Sequence, residues 1–178
     1  MAAVIIPFEL PLPLILQTIE GNVDYTTFRD QLLQINENLV LSGLEDHFIQ
    51  ADLDRWLKGQ KRVSAKAQQI RQFHSRRALR CNIARTMLRE DFRGFATRLA
   101  DSSLLQFFCG ISEVDRVRVP AKSTLQRYAT WWTEAEVRQL SGQLLQTGAQ
   151  QPEKLSLPEP VDLERCWIDT TCVEANIH

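Results

Sequence analysis

Residues 55–98 carry 13 bases against two acids, a net charge of +11 in a chain whose overall charge is −1. Like charges repel strongly once water is excluded, so a segment this cationic is expected at the surface, either solvated or against a polyanion. The flanking segments have the opposite sign. Residues 1–54 hold one base, Arg29, against nine acids, and residues 99–178 hold seven bases against eleven acids. The near-neutral total hides this segregation. A basic block of this kind reads as an electrostatic footprint for nucleic acid, the simpler alternative being a basic helix that meets only water.

The pattern within the block is helical. Ser64 is a candidate N-cap, and residues 65–90 follow as one long helix with apolar positions at Ile70, Phe73, Leu79, Ile83, Met87 and Leu88. Six arginines, at 71, 76, 77, 80, 85 and 89, fill much of the remainder. They cannot all share one face: Arg76, Arg77 and Arg80 cluster while the others spread. These three, with Lys61 and Arg62 ahead of the helix, are the expected DNA contacts of the block.

Capping signals divide the rest into further helices. Asp24 precedes a periodic run from Tyr25, and Ser42 with Glu45 fits a capping box opening a helix that Gly59 ends. Phe92 to Ala100 and Ser103 to Phe108 form two short helices, the second capped by Asp101 or Ser102 and ended by Gly110. Residues 111–119 read as loop, Ser123 caps a helix through Trp132, and a second box, Thr133 with Glu136, opens a last helix to about Gly148. Residues 150–160 are punctuated by proline and form the clearest boundary, because the first strand-like segment follows them. The four cysteines lack a C-x-x-C pair and form no metal-ligand cluster with the three histidines, so neither structural zinc nor a disulfide framework is indicated. The apolar stretch from Val4 to Leu16 is broken by Pro7, Glu9, Pro11 and Pro13 and is too short to span a bilayer; it reads as an extended arm on the helical body.

Two segments carry chemistry. In Val119-Pro120-Ala121-Lys122-Ser123-Thr124-Leu125-Gln126-Arg127-Tyr128, the residues Leu125, Tyr128 and Trp132 form a buried stripe that leaves the polar side chains outward. Lys122, Ser123 and Thr124 at a helix start suit a phosphate, and Gln126 and Arg127 one turn on suit base edges in a major groove. Near the end, Trp167, Ile168, Cys172 and Val173 flank Asp169-Thr170-Thr171, a β-prone run with a carboxylate at its centre. Glu174 lies an odd number of positions from Asp169 and would face the other side of a continuous strand.

Both segments resemble bacterial insertion-sequence transposases of the DDE, RNase H-like type. The first is similar to a proline, serine-threonine-leucine-x-arginine segment of their N-terminal domains, to which Arg80 to Arg85 and Ser102 to Gly110 also bear likeness. The second, Arg165 to His178, resembles their first catalytic strand. The resemblance implies a mainly α chain: a multi-helix DNA-binding domain at 1–149 (arm at 1–22) with a helix-turn-helix-like segment, a proline-containing linker at 150–162, and at 163–178 the first strand of an incomplete RNase H-like domain. It also implies that Asp169 is the first of three acids that hold Mg2+ for strand cleavage and transfer. One acid cannot build a two-metal site, so the chain as given is expected to recognise transposon ends in double-stranded DNA without cutting them. Implied partners are DNA, a second copy or a full-length transposase, with no membrane, in the cytoplasm at the nucleoid. Two alternatives stay open: a small helical DNA-binding regulator and a helical protein-interaction module.

Overall fold

A computed structural model describes residues 23–60, 62–112, 116–155 and 157–163. The protein is mainly α. The helices are α1 (Val23–Leu41), α2 (Leu44–Leu57), α3 (Ala65–Leu88), α4 (Phe92–Asp101), α5 (Ser103–Cys109), α6 (Lys122–Ala129) and α7 (Glu134–Gln150), followed by a 3-10 turn at Pro152–Leu155. Among the described residues there is no strand, only an isolated antiparallel bridge between Ser112 and Val117. The arm at 1–22, the strand-like run around Asp169 and Lys61 lie outside the described residues.

Several boundaries follow the capping logic of the sequence. Ser64 accepts from the Ala67 amide at 3.2 Å, Asp91 from Gly94 at 2.7 Å and Ser102 from Leu105 at 3.3 Å. Thr133 and Glu136 form a complete capping box at the start of α7. The Ser42–Glu45 box does not form. Gly43, at φ 67°, is the N-cap of α2 with no side-chain cap; Ser42 instead donates to the Asn38 carbonyl at 2.6 Å and accepts from the Leu44 amide. Glu45 is turned inward for another purpose. Nor is Ser123 a cap, since α6 starts at Lys122 with Ala121 in that position.

Helix α3 is the hub. It packs against α2, α4, α5 and α6, while α1 lies on α2, α5 and the 3-10 turn. Its buried Ala78, Cys81 and Ala84 are small, which lets neighbouring helices approach closely. Phe48, Phe95, Leu99, Leu105, Phe108, Leu125 and Tyr128 close the core around it.

The arginines reverse the expected amphipathicity of α3. Ile70 and Phe73, read as core positions, are 50% and 40% exposed, whereas Arg76, Arg77 and Arg80 are 7%, 7% and 2% exposed. Their partners come largely from the acidic first third of the chain. Arg80 donates to Glu45 Oε1 at 2.6 Å, Asn36 at 2.7 Å and the Phe108 carbonyl at 3.0 Å. Arg76 donates to Glu45 Oε2 at 3.0 Å. Arg77 donates to the Gly110 carbonyl at 2.7 Å, its guanidinium 4.1 Å from the Phe73 ring centre. Thus Arg77 and Arg80 take up carbonyls at the end of α5 that the helix cannot satisfy internally.

A second ionic cluster joins α2, α3 and α7. Arg71 grips the fully buried Asp52 at 2.7 and 2.6 Å. Arg55 bridges Asp52 at 2.9 Å, Glu136 at 2.5 Å and the Trp131 carbonyl at 2.5 Å. Much of the charge segregation therefore serves folding: acids of α2 meet arginines of α3 in the interior.

In the proline-punctuated linker, residues 150–155 and 157–161 pack against the helical body. Leu155 is buried, the Val161 amide donates to the Gly148 carbonyl at 3.0 Å, and the 3-10 turn contacts α1. Gly148 is required by this approach, because a Cβ there would sit 2.9 Å from Val161 Cγ2.

Two predictions follow from the ion clusters. Glu45→Gln removes the buried carboxylate that Arg76 and Arg80 share and should lower unfolding stability by about 3–5 kcal/mol in urea titrations. Burial would raise the Glu136 carboxyl, but the Thr133 amide and hydroxyl and Arg55 outweigh it and hold it below its ordinary 4.5. A depressed carboxyl stabilises the fold above its unfolded value, and that contribution goes as pH falls through the folded one. Melting temperature should therefore fall below about pH 4.5, less steeply in Glu136→Gln, whose acid limb is flatter.

Candidate nucleic-acid interface

The chain enters α6 through buried Pro120 and an extended Ala121 with ψ 155°. The Ala121 carbonyl accepts from Thr124 at 2.8 Å and Leu125 at 3.0 Å, while no side chain caps the first turn. Leu125 and Tyr128, 2% and 3% exposed, seat the helix on α3 and α4. At the far end Asn82 of α3 donates to the Tyr128 carbonyl at 2.7 Å. Buried Trp132 then donates to the Phe48 carbonyl at 3.2 Å, and its ring meets Phe48 edge-on. Trp131 is half-buried, with Arg71 stacked 4.2 Å from its ring centre. These contacts fix both the axis of α6 and its rotation.

That rotation turns Lys122, Ser123, Gln126 and Arg127 to solvent, with Thr124 half-buried beside them. Arg127 donates to Thr124 Oγ1 at 3.1 Å, and among the described residues neither Lys122 nor Arg127 meets a carboxylate. The expected set thus separates. The five positions on α6 share one helix, and Arg62 is exposed ahead of α3. Arg76, Arg77 and Arg80 are removed from any DNA face by burial and by their bonds to Glu45, Gly110 and Phe108. Lys61 and Asp169 lie outside the described residues. The connection before α6, residues 110–121, is longer than the three-to-four-residue turn of a helix-turn-helix pair.

One nearby residue had no sequence signal. His74 projects from α3 onto the α6 seam, its Nδ1 3.5 Å from the Tyr128 hydroxyl. Partial burial, then Arg77, Arg71 and Arg127, hold its pKa below 6.5. Only the packing of α6 on α3 brings these groups together.

Other chemistries find less support. A hollow beside Phe73, Arg77 and Gly110 has room for little more than a water molecule, far less than ordinary small-molecule sites. Cys81 and Cys109 are buried free thiols, and burial, then the hydrogen bond between them, raises the Cys109 thiol well above its ordinary value, far from a nucleophile's thiolate. Among the described residues no three acids, histidines or cysteines gather to hold a metal, and no helix is long and apolar enough to cross a membrane. No protein-family model, curated protein or solved structure matches the chain.

The division of α6 into a packed and a free face has a measurable consequence. Leu125→Ala should cost about 2–5 kcal/mol of stability, while Gln126→Ala and Arg127→Ala should each stay within about 0.5 kcal/mol. Chemical denaturation distinguishes them, and a large loss in Arg127→Ala would place that side chain in the packing.

Proposed function

We propose that this chain is the DNA-binding N-terminal portion of a DDE-type transposase, engaging double-stranded DNA through the outer face of α6. The observation that carries this reading is the exposure of Lys122, Ser123, Gln126 and Arg127 on a helix anchored by Leu125 and Tyr128. They fall in the segment that bears the transposase likeness. Lys122, Ser123 and Thr124 would hold phosphate and set the register; Gln126 and Arg127 carry the bidentate amide and guanidinium groups that read adenine and guanine edges. A rigid platform matters here, since base contacts require side chains held in one place.

The role assigned is end recognition, in which α6 would act as the reading helix. By the resemblance, Asp169 would supply one acid of the family's Mg2+-holding triad. A second copy or a full-length transposase would then complete the assembly on DNA.

A second reading, a helical protein-interaction module, is favoured by two observations: part of the basic block is neutralised from within, and Ile70 and Phe73 are exposed on α3. Salt separates the two. Phosphate contacts release counterions, so affinity for a mixed-sequence duplex should fall steeply between about 50 and 200 mM salt. In Lys122→Ala the slope of log affinity against log salt should shrink by about one, while Arg127→Ala should relax sequence preference. Absence of duplex binding in dilute buffer, or binding indifferent to salt, favours the interaction module.

A further inference from the structure

Among the described residues Arg89 alone, apart from glycines, sits at positive φ, with φ 52° and ψ 35°. It ends α3, and its amide donates to the Arg85 and Thr86 carbonyls to close the last turn. Glycine is the usual residue at such a left-handed helix end, because a Cβ crowds the backbone there. Helix α5 follows that rule, ending in the same conformation at Gly110 with φ 60° and ψ 42°. Helix α3 carries an arginine instead.

The Arg89 side chain does little for the fold. It is exposed and, among the described residues, makes no hydrogen bond, ion pair or ring contact. Its neighbours are engaged. Arg85 donates to the Glu90 carbonyl at 3.2 Å with its guanidinium 4.6 Å from the Phe92 ring centre, Arg98 pairs with Glu90, and Asp91 caps α4 through Gly94. Attraction to the negative end of the α3 dipole is weak for an exposed cation, and Arg85 in the last turn supplies it too. A disfavoured backbone conformation kept for a solvent-facing side chain points to a role outside the fold.

We propose that Arg89 is a phosphate-contact residue, its guanidinium holding a phosphate diester of the duplex engaged by α6. The proposal rests on duplex DNA as the partner. Arg89 lies at the junction of α3 and α4, and α6 packs on both of these helices. Arg93, exposed in the first turn of α4, adds a second cation that meets no carboxylate among the described residues. Residues 85–98 hold four arginines against two acids, and those acids are the Glu90 and Asp91 already engaged, so the turn offers positive charge. A guanidinium forks onto two phosphate oxygens, and such a contact positions a duplex without reading its sequence. That role is separate from the base-edge role of Gln126 and Arg127.

The test uses the full chain and a fluorescent mixed-sequence duplex, titrated by anisotropy at several salt concentrations. Arg89→Gly relieves the backbone and removes the charge. It should melt no lower than the wild type, with a rise of up to about 4 °C. It should also bind severalfold more weakly, the slope of log affinity against log salt smaller by about one. Arg89→Lys keeps the charge and should keep the wild-type slope. Melting of Arg89→Gly several degrees below the wild type assigns the side chain to the fold and overturns the proposal. So does a wild-type slope in Arg89→Gly, or a slope lost equally in Arg89→Lys. If Lys122→Ala lowers the slope while Arg89→Gly does not, the DNA reading stands and the role of Arg89 falls. Absence of duplex binding by the wild type in dilute buffer removes both.

Discussion

The structure turns on Glu45, a carboxylate from α2 placed between two arginines of α3. Both its oxygens are used, by Arg80 Nε at 2.6 Å and by Arg76 Nε at 3.0 Å. Removing such charges from water is expensive, and a buried pair gains little over apolar residues of the same volume. Its contribution is to register: sliding α2 along α3 by one turn would strand the carboxylate and both guanidiniums in the core. Because Arg80 also holds Asn36 of α1 and Phe108 of α5, four helices are positioned by one ionic knot.

The Asp52 cluster extends the same device to the other end of α3. Arg71 and Arg55 share this fully buried carboxylate, and Arg55 carries the connection to Glu136 in the first turn of α7 and to the Trp131 carbonyl between α6 and α7. Glu136 therefore serves both as the capping residue of α7 and as its tether. The segment that leaves α6 is pinned by ions, while α6 itself is pinned by Leu125 and Tyr128.

The helices were legible in the sequence where their ends are set locally. Ser64, Asp91, Ser102 and Thr133 bond to amides within their own helix, so the cap can be read without the rest of the fold. The interior of α3 was not legible in this way. Periodicity assigns Ile70 and Phe73 to the core and Arg80 to the surface, yet the order is inverted because the groups that satisfy Arg80 lie 28 to 44 residues away in sequence. Glu45 was misread for the same reason: a position three after Ser42 fits a local cap, but two distant arginines compete for its oxygens and win. His74 had no signal, since it matters only through Tyr128 and Arg127 from another helix. On α6 the stripe of Leu125 and Tyr128 was readable, and with it the outward set of Lys122, Ser123, Gln126 and Arg127.

Charge counted along a sequence is therefore a poor measure of charge offered to a partner. Of the basic block, Arg76 and Arg80 are matched by Glu45 and Asp46, Arg71 and Arg55 by Asp52 and Glu136, and Arg98 by Glu90. Lys58, Arg62, Lys66, Arg89 and Arg93 stay exposed and, among the described residues, meet no carboxylate. Long-range attraction to a polyanion depends on this remainder, which is weaker than +11 and distributed over the ends of α2 and α3 and the start of α4. A DNA-binding reading must then draw its strength from geometry rather than from bulk charge. A firmly seated helix with a short row of unpaired donors supplies that geometry, because few contacts in fixed positions discriminate among sequences better than many mobile cations do.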